Sequence, residues 1–63
     1  MQDKIIYVAY KVGTKDYHNV PCIDTFITVK DALKYKENNE VDIIEFKLDE
    51  NNNIINERRI HTP

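Results

Sequence analysis

The sequence contains one cysteine, one glycine, two prolines and no tryptophan among its 63 residues. Cys22 has no partner for an internal disulfide, which excludes the bridged framework of many small secreted domains and favours a reducing compartment. The apolar run from Ile5 to Ala9 is interrupted by a tyrosine and is too short for a signal-peptide core or a membrane span. We therefore expect a cytoplasmic protein with no membrane partner.

The sequence also lacks an excess of positive charge. Nine Lys and Arg residues are outnumbered by eleven Asp and Glu residues, which gives a net charge of −2. Proteins that bind nucleic acid normally carry a basic face, because the phosphate backbone supplies much of the affinity. The composition therefore disfavours nucleic acid as a partner, and Arg58 and Arg59 are the residues that would serve that alternative function.

Patterns that carry chemistry are missing too. The sequence has no Gly-rich phosphate loop, no HExxH and no GxSxG. His18 and Cys22 lie near Asp16 and Asp24, but a structural zinc site needs four ligands and a catalytic thiol needs an oriented histidine. A loop histidine and a small thiol are the better interpretation, so we expect no enzyme activity, no metal and no cofactor.

What the sequence does contain is alternating apolar residues typical of strands, together with one helical segment. We expect a single small α+β domain over residues 1–63, with the order ββαββ and one helix packed on one face of an antiparallel sheet. The predicted elements are strands over residues 4–12 and 22–27, a helix from Thr28 to Asn38 or Asn39, and a hairpin of strands over 41–48 and 54–60.

The helix has well-marked ends. Thr28 is a good N-cap, and Asp31 lies at the third helical position, where its carboxylate favours the helix dipole. Ile27 precedes the cap as half of a hydrophobic staple, and Asn38 or Asn39 can adopt the left-handed conformation that ends a helix.

Both faces of the predicted sheet are apolar, although one helix can cover only one of them. We expect Val29, Ala32 and Leu33 to pack on one set of side chains: Ile6, Val8, Tyr10, Ile44, Phe46 and Leu48. The far face would then present Ile5, Tyr7, Ile43 and Ile55. Contiguous exposed apolar patches mark interaction sites, so this set predicts a partner interface and a homodimer. The alternative is that these residues only support β propensity on a solvated face.

Five carboxylates lie on the hairpin: Asp42, Glu45, Asp49, Glu50 and Glu57. They can form an ordinary solvated face, or they can imitate the phosphate rows of DNA when they bind a partner.

The stretch from Thr28 to Asp49, "TVKDALKYKENNEVDIIEFKLD", resembles the small phage-encoded inhibitors of uracil-DNA glycosylase. This resemblance implies an acidic, dimeric DNA mimic whose sheet and helix contact the enzyme, and it assigns that contact to Asp31, Asp42, Ile43, Ile44 and Glu45. The layout with its closing "NNIINERRI" also resembles uncharacterised small bacterial domains, some of them compared with double-stranded-RNA-binding folds.

These observations predict a small non-catalytic protein, encoded by a phage or mobile element, that binds and occludes a host protein such as a DNA-processing or defence enzyme. The abundance of Ile, Lys and Asn indicates an AT-rich coding genome, which fits such an origin. The second prediction is a domain that binds nucleic acid through Arg58 and Arg59.

Overall fold

The computed structural model describes residues 3–60. Its elements are β1 (Lys4–Lys11), β2 (Asp24–Phe26), α1 (Val29–Asn38), β3 (Val41–Leu48) and β4 (Ile54–Ile60). The strands form one antiparallel sheet in the order β2-β1-β3-β4. The predicted α+β fold with the order ββαββ is therefore confirmed.

The two central strands, β1 and β3, pair along their whole length, from Lys4 opposite Leu48 to Lys11 opposite Val41. Both are rich in the β-branched and aromatic residues that suit a pleated surface. β1 ends one residue before its predicted end because the chain turns at Gly13, whose φ of +89° suits a residue without a Cβ. β2 is shorter than predicted, with three residues instead of six.

The helix begins as the sequence predicts and ends differently. The Thr28 Oγ1 accepts a hydrogen bond from the backbone N–H of Asp31 at 3.3 Å. At the other end Asn39 has an extended backbone (φ −143°) instead of the predicted left-handed one, and its side-chain amide donates to the Tyr35 carbonyl at 2.9 Å. The predicted staple does not form, because Ile27 is 81% exposed.

The β3–β4 hairpin turns through residues 49–53. The Asp49 carboxylate accepts hydrogen bonds from the backbone N–H groups of Asn51 and Asn53 at 2.8 and 2.9 Å. Asn52 has a φ of 66°, a left-handed conformation that asparagine tolerates better than most residues. Lys47 lies opposite Asn56 and Leu48 opposite Ile54, which makes Ile55 the extra residue of a bulge.

The helix covers the opposite face from the one that the sequence analysis assigned to it. Ala32 packs against Ala9, Val41 and Ile43, and the margin of this cluster consists of Tyr7, Phe26, Tyr35 and Ile60. We call this side of the sheet the helix face. Ala9 and Ala32 are both fully buried, and such small side chains let the helix approach the sheet closely. The prediction that α1 packs on Val8 and Ile44 is therefore wrong.

The other side of the sheet, the loop face, is covered by the chain between β1 and β2. Its buried residues are Val8, Tyr10, Ile44, Phe46 and Leu48, with Ile6 and Tyr17 packed against them. The connection of residues 12–23, the covering loop, brings the ring of Tyr17 to 5.0 Å from that of Tyr10. Arg59 of β4 donates from Nη2 to the Tyr17 hydroxyl at 2.7 Å. The loop therefore spans the sheet from β1 to its β4 side.

Adjacent core residues on opposite faces test this two-sided packing. Ile43 and Ile44 are at most 1% exposed, one on each face. We expect Ile43→Ala and Ile44→Ala each to lower the free energy of unfolding by about 2 to 5 kcal/mol in chemical denaturation, because each leaves a cavity. Ile55→Ala, at a residue that is 52% exposed, should change it by about 0.5 kcal/mol or less. A negligible effect of Ile44→Ala would contradict the burial of the loop face.

Candidate interaction site

The apolar interface predicted on the far face does not form as one surface. Ile43 is fully buried and Tyr7 is half-buried beside α1, since the helix lies on their face of the sheet. Ile5 and Ile55 are exposed, but they lie on β1 and β4 with β3 between them. The assignment of Ile43 and Tyr7 to an open sheet face is therefore wrong, and Ile43 cannot touch a partner in the folded chain.

The hairpin carboxylates are divided between the two faces. Glu57 lies opposite Phe46, and Asp42 lies opposite Tyr10, which places both on the loop face. Glu45 lies opposite Tyr7 on the helix face. Asp49 and Glu50 lie in the turn at the hairpin tip, and Asp31 is exposed in the first turn of α1. These carboxylates do not form a single row.

Most of these carboxylates also have partners within the chain. Arg58 Nη2 lies 3.2 Å from Glu45 Oε1. Burial raises the pKa of Tyr7, the Glu45 carboxylate raises it further, and Arg58 acts in the opposite direction. Asp42 accepts a hydrogen bond from the backbone N–H of Gly13 at 3.3 Å, and Asp49 is used by its own turn. Glu50 is the exposed carboxylate of the hairpin tip.

The two arginines proposed for nucleic-acid binding also lie on opposite faces. Arg58 pairs with Glu45 on the helix face, whereas Arg59 lies opposite Ile44 on the loop face. The hydrogen bond to the Tyr17 hydroxyl is the main reason that the pKa of Arg59 is raised. The pair therefore does not form one basic surface.

The polar residues of the covering loop are engaged with one another or with the sheet. His18 Nε2 lies 3.6 Å from Glu57 Oε2, and the Cys22 Sγ lies 3.9 Å from Thr25 Oγ1. Asp16 accepts hydrogen bonds from the side chain of Asn19 and the backbone N–H of His18, which lower its pKa.

Residues 3–60 contain no cluster of three His, Cys, Asp or Glu side chains that could hold a metal ion. In the same span, no helix is long and apolar enough to cross a membrane.

Exposed aliphatic side chains flank the short edge strand β2. Ile27 is 81% exposed, and Val20, Ile23 and Val29 are between 39% and 50% exposed. We call these four residues the β2-edge surface. None of them was predicted as a site, because Ile27 fitted a staple, Ile23 a strand and Val29 a helix, while Val20 lies between two predicted strands. Four aliphatic residues within ten positions, beside a short predicted strand, were the available signal.

The opposite sheet edge is β4, which has seven residues and pairs only with β3. Every residue from Ile54 to Arg59 is exposed. In an edge strand, alternate residues direct their N–H and C=O groups away from the sheet, where another strand can pair with them. The two edges therefore differ: β2 is short with aliphatic flanks, and β4 is long and charged.

Comparison of the chain with protein-family models, with curated proteins and with solved structures found no match.

The Asp49 carboxylate predicts a pH dependence of the hairpin. Hydrogen bonds from the backbone N–H groups of Asn53 and Asn51 hold its pKa below the ordinary value of 3.8. The stabilisation is therefore complete above the pKa of the unfolded chain, and it is lost as the pH falls through the lower folded pKa. We expect Asp49→Asn to make the unfolding temperature less sensitive to pH below about pH 4. Glu50→Gln removes the same charge one residue away but keeps Asp49, so its unfolding temperature should depend more steeply on pH in this acid range than that of Asp49→Asn. Equal pH dependence of the two variants would contradict the role of Asp49.

Tyr17 predicts how the covering loop is held. Tyr17→Ala removes the ring that packs on the loop face, and we expect a loss of about 1 to 3 kcal/mol in the free energy of unfolding, because the residue is only half-buried. Tyr17→Phe keeps the ring and loses only the hydrogen bond to Arg59, so it should cost less. Amide hydrogen exchange should show faster exchange in residues 12–23 for Tyr17→Ala. Equal effects of the two variants would show that ring packing does not hold the loop.

Proposed function

We propose that this chain is a small non-catalytic interaction protein that binds another protein and occludes part of its surface. The observation that carries the proposal is the β2-edge surface, where an isoleucine that is 81% exposed shares one ten-residue stretch with three further exposed aliphatic residues. Among the described residues, these four side chains keep between 39% and 81% of their surface exposed, so this apolar area is available to a partner.

The energetics favour apolar contact at this surface. Complete burial of an aliphatic side chain contributes about 1.5 to 3 kcal/mol, and Ile27 has nearly all of its surface to bury. The neighbouring Lys30 and Asp31 are exposed in the first turn of α1 and can form a polar rim. A central apolar anchor surrounded by polar residues is the usual organisation of a protein interface.

The partner in this proposal is a host protein, and the chain is the product of a phage or mobile element. The composition rich in Ile, Lys and Asn and the resemblance of residues 28–49 to phage-encoded inhibitors support this origin. Occlusion rather than catalysis follows from the absence of a recognisable catalytic motif in the sequence. Binding by DNA mimicry receives less support, because the hairpin carboxylates lie on two faces and most have partners within the chain.

Affinity capture from a bacterial lysate, followed by mass spectrometry, tests the proposal with two matched variants. Ile27→Glu places a charge at the most exposed residue of the β2-edge surface, and we expect it to lose the captured protein. Ile55→Glu makes the same change at an exposed isoleucine on the other sheet edge and should retain it. Both sites are exposed, so neither variant should unfold the chain. Recovery of no specific protein, or equal recovery with Ile27→Glu, would contradict the proposal.

Titration of uracil-DNA glycosylase separates apolar docking from DNA mimicry. Inhibition that Glu45→Gln weakens and Ile27→Glu leaves unchanged would favour the DNA mimic implied by the resemblance. Inhibition with the reverse pattern would make this enzyme a partner of the β2-edge surface. Full enzyme activity at a large molar excess of the chain would remove this target.

A further inference from the structure

We propose that β4 pairs with β4 of a second copy of this chain, antiparallel and about a two-fold axis at Arg58. The two four-stranded sheets would then join into one continuous sheet. The contact lies on the opposite sheet edge from the β2-edge surface and does not depend on the function proposed for that surface.

The starting observation is the length and openness of the edge. β4 presents seven residues with no neighbour on its outer side among the described residues, whereas β2 presents only three. Such an edge is a template for another strand, and a second copy supplies a strand of equal length.

Symmetry restricts the registers that are available. Two identical antiparallel edge strands are related by a two-fold axis perpendicular to the sheet, so one residue lies opposite its own copy. Residues directly opposite each other then lie on the same face of the joined sheet. The register is therefore defined by the residue on the axis.

Charge distinguishes the registers. With Glu57 on the axis, two carboxylates face each other, and with Arg59 on the axis, two guanidinium groups do. An axis at Asn56 brings the bulge at Ile55 into the paired segment. An axis at Arg58 places Glu57 of each copy opposite Arg59 of the other, which gives two oppositely charged pairs on the loop face. This is the register that charge complementarity favours.

The unfavourable element of this register is Arg58 opposite its own copy. Each Arg58 is already 3.2 Å from Glu45 on the helix face, so the seam would hold two arginines between two carboxylates. Arg59 keeps donors for Glu57 of the second copy, because its bond to Tyr17 uses one N–H of a group that has five. Asn56 would lie opposite Ile60, whose side chain packs at the edge of the helix-face core.

A contact made by one pair of short strands is smaller than the surface of about 1,200 to 2,000 Å² that stable complexes bury. We therefore expect a weak dimer that forms at high protein concentration. Its charged pairs are exposed to solvent, so salt should weaken it further.

Light scattering coupled to gel filtration tests the register by exchanging charges. At roughly 300 µM, where a weak contact of this size can be populated, the native chain should run above its monomer mass of 7.5 kDa and approach twice that value. Glu57→Arg alone and Arg59→Glu alone should each be monomeric, because each places like charges opposite one another. An equimolar mixture of the two variants should dimerise, since every exchanged pair is again opposite in charge.

Cysteine cross-linking provides a second test that does not require Arg59. In a Cys22→Ser background, Arg58→Cys places two thiols directly opposite each other, and we expect a disulfide-linked dimer under mild oxidation, because facing residues have Cα atoms within disulfide range. Asn56→Cys lies on the same face two residues from the axis and should not cross-link.

Three results would overturn the proposal: a native chain that is monomeric at the highest concentration, single charge variants that still dimerise, or equal cross-linking of Asn56→Cys and Arg58→Cys. Circular dichroism of each variant should match the native chain. If Arg59→Glu fails to fold because it loses the bond to Tyr17, the cross-linking pair decides the question.

Discussion

Coverage of both apolar faces of β1 and β3 is the constraint on which the rest of this structure depends. Each of these strands carries large apolar residues on both of its faces, so a single helix would leave one of the two sets in water. The chain meets this constraint with α1 on one face and the covering loop on the other. Tyr17 packs on the core and accepts a hydrogen bond from Arg59, so it joins the covering loop to β4.

This arrangement determines which surfaces are left for partners. Most apolar residues of the central strands are buried or half-buried, and Glu45 and Asp42 are engaged within the chain. The two sheet edges remain, and they have different chemistry. The β2 side carries aliphatic side chains suited to an apolar partner, while β4 carries Glu57, Arg58 and Arg59 in an order that is complementary to itself about Arg58. The proposed host contact and the proposed self-contact can therefore coexist.

The features that could be predicted from the sequence are those made by neighbouring residues. Thr28 and Asp31 form the cap because they are three positions apart in a helical turn. Asp49 and Asn52 form the hairpin turn through contacts of a few residues. The pairing of 41–48 with 54–60 follows from such a turn, since a short connection makes adjacent strands antiparallel. The order ββαββ was therefore available without a structure.

By itself, the sequence determined the order of the elements, the N-terminal cap of α1 and the hairpin turn, because these depend on backbone preferences and local hydrogen bonds. Only the tertiary structure decided which face α1 covers. Both sets of strand residues are apolar, and the choice depends on how closely Ala32 can approach Ala9. The tertiary structure also decided that residues 12–23 form a cover rather than an open turn, since the Tyr17–Arg59 bond joins positions 42 residues apart. That contact exists only once β4 has paired with β3, and no local pattern in the loop specifies it.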